Sequence, residues 1–274
     1  MGHGQTIVLI KGNVRIYLSD FSALSQTILS YHSYLPFANL ILAHALTALV
    51  PLRLLYRASK LLVQIKTTGP IEMLLIEMAA NQVRALVANG QIATEYDQSR
   101  YNEIPLPLGL GPSGTLHVSR IVNNQTFTSE VALVAADVVT DLAYFLNQSD
   151  QIFSAVVSDV RLDPQDSRRV LRAQNALFQL LPGHTEADVT WIETFIKQHP
   201  LKNYDLATYI RLVDGQVLTS HVVGARCWCD RTKLIRALTQ LSPAAQATLR
   251  ADAQPLESRC DFCNRQYVLT SGDF

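Results

Sequence analysis

Residues 61–90 read LLVQIKTTGPIEMLLIEMAANQVRALVANG. They contain three short apolar runs, Leu61 to Ile65, Ile71 to Met78 and Val83 to Val87, punctuated by Gly69-Pro70 and closed by Asn89-Gly90. Runs this short, rich in Val, Ile and Leu and bounded by turn residues, fit strands better than helices. The pattern continues outward in both directions. Ile7, Leu9 and then Val14, Ile16 and Leu18 alternate around Lys11-Gly12-Asn13, which predicts a hairpin, and further strands fit 115–122, 126–135, 153–162 and 170–181. Helices are interspersed. Asp20 is placed to cap one that uses Phe21, Leu24, Ile28 and Tyr31, Phe37 to Val50 is apolar nearly all round as a buried helix is, and 137–147 supplies a third. The stretch 91–112 is polar and then rich in Pro and Gly, so a long loop is expected there. Strands with a few helices and no βαβ rhythm predict an α+β, β-rich core domain over residues 1–182.

Composition narrows the function. The 274 residues are 48% hydrophobic and 17% charged, with 23 basic and 23 acidic side chains. Disorder needs the opposite balance. A dedicated nucleic-acid binder needs a basic excess that this chain lacks. Low charge with no net repulsion favours association. Phe37 to Leu55 is the one candidate membrane span, and Asn39, His44, Pro51 and Arg53 interrupt it, so a buried, kinked helix pair is expected instead. Met1 to Gln5 shows no secretory pattern, and the expected location is cytoplasmic. The glycosylation-like triplets at Asn124 and Asn147 are then chance matches.

Beyond Pro182-Gly183 the texture changes. Thr185 and Asp188 form a capping-box pattern, and Val189, Ile192, Phe195 and Ile196 make one helical face before Pro200. Leu206, Tyr209, Ile210 and Val213 make a second before Gly215. Helices of about a dozen residues are marginal alone. Residues 183–226 are therefore expected to be a metastable helical linker whose order depends on packing.

All four cysteines come after it. Cys227-Trp228-Cys229 is followed by thirty residues and then Cys260-Asp261-Phe262-Cys263. In a reducing compartment such clusters point to metal or redox chemistry rather than structural disulfides. Four thiolates close a tetrahedral shell around Zn²⁺ and leave no open position for catalysis. Residues 227–274 are too few to build a securely stable core alone, so a metal staple is physically reasonable. The first pair is C-x-C where a common zinc ribbon has C-x-x-C. Residues two apart project both sulfurs to one side of an extended chain, where they can grip one metal or close a small, labile ring. Local disulfides would not connect the two halves of the module, and their formation would unfold it. The spacing leaves both a redox switch and a purely structural ribbon open. Arg226, Arg231, Lys233, Arg259 and Arg265 either offset the charge of the centre or form a solvated rim.

Other motifs are weaker. Gly109 to Gly114 matches G-x-G-x-x-G, but prolines precede it and a strand follows, so a glycine loop is expected rather than a phosphate cradle. Asp159, Asp163 and Asp166 are spaced like a cation site but flank a turn and are expected to be solvated. His44 is expected in the core, and His221 is an outlying candidate ligand. No Ser/His/Asp set or carboxylate pair emerges, so the chain is not expected to be an enzyme.

The cysteine order, with Tyr267 after the second pair, resembles the redox-regulated chaperones of the 33 kDa chaperonin (heat shock protein 33) family. So do Gly69-Pro70-Ile71, Val83-Arg84-Ala85, Gly114-Thr115-Leu116, Phe127-Thr128 before Glu130-Val131, and Gln179 to Gly183. Arg172-Ala173-Gln174-Asn175 departs from the family's small residues and glycines, and the tail to Phe274 is short. The resemblance implies that Cys227, Cys229, Cys260 and Cys263 bind zinc in the reduced, inactive state. It implies that peroxide converts them to Cys227–Cys229 and Cys260–Cys263 disulfides with loss of zinc. The linker would then expose apolar surface to unfolding clients. The resemblance further implies dimerisation on activation, no use of ATP and hand-off to ATP-dependent foldases. The zero net charge argues against nucleic-acid partners, and the interrupted apolar span against a membrane. A nucleic-acid-binding zinc ribbon is the alternative.

Overall fold

Alternating residues build the N-terminal hairpin. Strands β1 (His3–Lys11) and β2 (Val14–Asp20) pair antiparallel from Gln5↔Asp20 to Lys11↔Val14, and Gly12 turns with φ +55°. The structure, a computed structural model, describes residues 2–94, 98–149, 151–251, 254–270 and 272–273. Helix α1 (Ser22–Ser30) follows, with the Asp20 carboxylate accepting from Ser22 N–H at 2.9 Å. Helices α2 (Pro36–Leu49) and α3 (Leu52–Leu55) are the expected kinked pair, broken at Pro51. Their span is long and apolar enough to cross a bilayer, yet 78% of its apolar window is buried inside the fold. It is a core helix.

The predicted three-run segment is β3 (Lys60–Thr67), β4 (Met73–Ala79) and β5 (Gln82–Val87), an antiparallel meander. The expected loop after it contains one 3-10 turn, Gln98–Glu103, and the helical turn α4 (Pro107–Leu110), while its residues 95–97 lie outside the described residues. Then come β6 (Gly114–Val122), β7 (Gln125–Ala132), α5 (Val138–Ser149), β8 (Ser154–Leu162) and β9 (Val170–Leu180). All these strands, together with β10 (Gln216–Ala225), belong to one ten-stranded sheet in the order β7-β6-β3-β4-β5-β10-β1-β2-β9-β8. Its larger core lies under α1, α2 and α5, where Val8 and Tyr17 join Leu24, Ile41, Leu46 and Phe145.

The opposite face of the same strands is also apolar. Leu9, Val14, Ile16, Leu18, Ala176 and Phe178 are covered by α6 (Glu186–Gln198) and α7 (Leu206–Val213), through Ile192, Phe195, Tyr209 and Val213. The capping box at α6 is present, and Asp188 accepts from Thr185 N–H at 2.8 Å while reaching Asn13 in the β1–β2 turn. Asp205 starts α7 by accepting from Thr208 N–H at 2.7 Å.

One expectation needs correction. Residues 183–226 are not helical throughout, because Gln216–Ala225 form β10 in the sheet, antiparallel to β1 from His3↔Gly224 to Ile10↔Gln216. On its other side β10 runs parallel to β5 at Gly224 and Ala225. Its periodicity is that of a strand with mixed polar residues, and only its partners reveal it.

His44 lies within α2, and desolvation holds its imidazole down to about 4 against the weaker pull of Asp137 and Asp159. The unfolded chain takes up that proton near pH 6.5 while the folded one resists until about pH 4, so stability falls with pH across this window. His44→Gln is expected to lose less stability between pH 6.5 and 4, by on the order of 3 kcal/mol, in urea melts at both pH values.

Candidate metal centre

β10 delivers the first cysteine pair. Ala225 N–H donates to Gly2 O at 2.9 Å and Arg226 N–H to Val83 O at 3.0 Å, so Cys227 emerges beside β5. Asp230 then accepts from Lys233 N–H at 2.7 Å and caps α8 (Arg231–Thr239), leaving Cys227 to Cys229 as a short strip between strand and helix. Helix α9 (Pro243–Ala251) leads to the hairpin of β11 (Leu256–Arg259) and β12 (Gln266–Leu269). Cys260 to Cys263 form its turn. Cys260 N–H donates to Arg265 O at 3.0 Å, Asn264 N–H donates to Cys260 O at 2.8 Å, and Asn264 takes a left-handed φ of +59°.

Strip and turn meet. The four Sγ atoms lie within 4.8 Å of one another, with Cys227 to Cys260 at 3.7 Å and Cys229 to Cys263 at 3.4 Å. A tetrahedral shell with Zn–S of about 2.3 Å puts its sulfurs about 3.8 Å apart, whereas a disulfide needs about 2.05 Å. The sulfurs are spaced for a shared metal, and an all-thiolate donor set suits zinc. His221 does not join them. It sits on β10 opposite Thr6 and lines a different cleft.

The surroundings give the module little apolar support of its own. Among the described residues from 227 onward, Leu269 is the only fully buried apolar side chain. One such residue contributes about 1.5–3 kcal/mol, against about 10–16 kcal/mol for a structural zinc. Burial works to raise the Cys229 thiol, but the Tyr267 hydroxyl, donating at 3.0 Å, and the neighbouring sulfurs bring it down to about 7. The same contact pushes Tyr267 up to about 12. Desolvation raises the Cys260 and Cys263 thiols.

A core residue completes the site. Arg84 of β5 places its guanidinium 4.2 Å from the Trp228 ring and 3.9 Å from the Phe262 ring, with Nη1 3.7 Å from Cys227 Sγ. Its Nε donates to Glu77 on β4 at 2.8 Å. The central residue of the C-x-C pair and one of the C-x-x-C pair thus grip a cation of the sheet. Sequence reasoning gave Arg84 no role, although aromatic residues inside both pairs were the available signal. The basic rim is partly neutralised. Arg231 pairs with Asp273 at 2.6 Å and Lys233 with Asp230 at 3.3 Å.

The weaker candidates resolve without chemistry. The element that directly follows Gly111 is β6 rather than a helix, and Gly69 packs so closely on this loop that a Cβ there would lie 2.4 Å from Gly109 O. Asp159 pairs with Arg161 at 3.3 Å and Arg172 at 2.8 Å, Asp163 with Arg169 at 3.2 Å, and Asp166 with Arg168 at 3.2 Å. The three carboxylates serve arginines rather than a cation.

A sequence model of the Hsp33 protein family matches residues 4–270. The chain belongs to the Hsp33 family. This is a chaperone family, and similar curated proteins are named 33 kDa chaperonin. That of Acholeplasma laidlawii is 26% identical over 95% of this chain and 92% of its own length. That of Geobacillus kaustophilus is 28% identical over 93% and 90%. The crystal structure of the 33 kDa chaperonin (heat shock protein 33 homolog) from Thermotoga maritima shares the fold, with a TM-score of 0.82 and 22% identity over 99% of this chain and 96% of that one.

Cation–π contacts of this kind contribute about 0.5–2 kcal/mol each. Arg84→Gln is expected to loosen the cysteine module from the sheet in the reduced protein, speeding protease cleavage near residues 226–230 several-fold. An unchanged cleavage rate would show that the module is held elsewhere.

Proposed function

We propose that the chain is a redox-regulated, ATP-independent holdase of the cytoplasm and not an enzyme. In this reading Cys227, Cys229, Cys260 and Cys263 hold one Zn²⁺ in the resting state. When bound, zinc crosslinks the two cysteine pairs and keeps all four sulfurs as thiolates. The observation that carries the reading is the mutual approach of these sulfurs at the end of β10, directly downstream of the helices that cover an apolar sheet face.

Under peroxide each cysteine pair gives up two electrons and closes a disulfide, Cys227–Cys229 and Cys260–Cys263. One peroxide per pair takes up two protons and becomes two waters. Both bonds are local, so strip and turn lose their connection and Trp228 and Phe262 lose their common position around Arg84. The module 227–274 then unfolds and the linker 183–226 follows. What the linker leaves behind is Leu9, Ile16, Leu18 and Phe178 on the core of residues 1–182, a flat apolar surface suited to partly unfolded clients. The active form is a homodimer that passes clients to ATP-dependent foldases.

Several features support a poised linker. Helices α6 and α7 have 13 and 8 residues, too few to persist alone. Among the described residues the buried Tyr209 hydroxyl and His199 Nδ1 find no hydrogen-bond partner, and each such group costs about 1–3 kcal/mol. Against this, Arg172 on β9 donates to the carbonyls of Leu201, at 2.8 Å, and Tyr204, with Asp159 as its ion pair. The departure at Arg172 from the family's small residues thus places a pin between core and linker.

Reduced protein is expected to leave the light scattering of a heat-unfolded client unchanged, and peroxide-treated protein to suppress it, with zinc released in step. Equal suppression by both forms would sink the switch. Tyr209→Phe is expected to stabilise the linker by about 1 kcal/mol and slow activation. Arg172→Ala is expected to speed activation, read by the same assay over time.

A further inference from the structure

β10 meets β5 only at Gly224 and Ala225, so its earlier residues leave a gap in the sheet. The gap opens into a cleft of about 530 Å³ between β10, α3 and the β4–β5 turn at Asn81. Arg15 of β2, Arg53 of α3, Arg57 just beyond α3 and His221 of β10 all line it. Among the described residues no acidic side chain does, in a chain with equal numbers of acids and bases.

These arginines differ from others in the fold. Arg84, Arg161, Arg168, Arg169, Arg172 and Arg231 each meet a carboxylate. Among the described residues Arg15, Arg53 and Arg57 form no ion pair. Arg53 Nε is buried without a hydrogen-bond partner, while its Nη1 donates to Asn81 Oδ1 at 3.3 Å. Burial lowers the Arg53 pKa, the signature of a cation lacking a counter-charge. Arg57 is held at φ +51°, a backbone conformation that suits glycine. The walls also include the aromatic ring of Tyr17 and the apolar Val8 and Leu54.

We propose that this cleft binds a small multivalent anion, an oligophosphate or a polycarboxylate, gripped by Arg15, Arg53 and Arg57. Guanidinium forks match the oxygens of both groups in pairs, and the volume suits a small ligand. Three guanidinia converging from two parts of the chain favour several negative charges over one. A bound anion would tie α3 and β2 to β10 and so steady the strand that leads to Cys227. The site does not depend on the holdase reading.

The test uses the full reduced chain loaded with zinc and two probes, tripolyphosphate and citrate. Binding is measured by calorimetry and by thermal melting, against sodium chloride at matched ionic strength. At least one probe is expected to bind and to raise Tm by more than the salt does. Tripolyphosphate alone would mark a phosphate site, citrate alone a carboxylate site, and both a general one. The Arg53→Gln/Arg57→Gln double variant is expected to weaken binding about tenfold or more, whereas Lys197→Gln on exposed α6 binds as the parent does. If the double variant fails to fold, Arg57→Gln at its exposed position decides, with about threefold weakening expected. Binding of neither probe beyond the salt effect, or equal affinity in parent and folded variant, overturns the proposal.

Discussion

Strand β10 joins two halves of a sheet, and both the linker and the cysteine module hang from that joint. It pairs along its length with β1 but touches β5 only at Gly224 and Ala225. Helices α6 and α7 lead into it and Cys227 follows from it, so order on either side is felt through one extended segment. A strand bonded on one side for most of its length has the unpaired N–H and C=O groups of an edge strand although it lies inside the sheet. Its position makes the sheet depend on a segment that arrives late in the chain.

The cysteine module is held by two unlike means. Among its described residues only Leu269 is a fully buried apolar side chain, so the cluster of four sulfurs is the main point where its two ends meet. Its attachment to the sheet falls to Arg84, which reaches both aromatic residues and a cysteine while Glu77 fixes its other edge. Loss of the shared centre would remove internal order and attachment together, because Trp228 and Phe262 are positioned by the cysteines that flank them. The linker is balanced differently. Tyr209 and His199 bury polar atoms at a cost, and Arg172 offsets part of it with bonds to linker carbonyls.

Much of this was legible in the chain. The meander of 61–90, the first hairpin, the buried helix after Pro36 and the capping box at Thr185 follow from period, turn residues and caps, which are local. The cysteine quartet was legible for the same reason, since ligand type and spacing are local properties. Two features were not. Residues 216–225 carry no strong strand signal, and their place between β5 and β1 depends on partners more than a hundred residues away. Arg84 looked like one more residue of a strand, because nothing in its neighbourhood shows that Trp228 and Phe262 will close on it.

The sequence by itself determined the chemistry, four thiols in a C-x-C and C-x-x-C order behind a segment of short helices, along with the α+β class of the core. Hydrophobic period and ligand spacing are written within a few residues and need no partner to be seen. Only the tertiary structure decided that the linker's end becomes a central strand, that one arginine fastens the module to the sheet, and that guanidinia with no ion pair among the described residues gather at a gap. Each of these depends on long-range apposition, in which a residue's role is set by what faces it rather than by its neighbours in the chain.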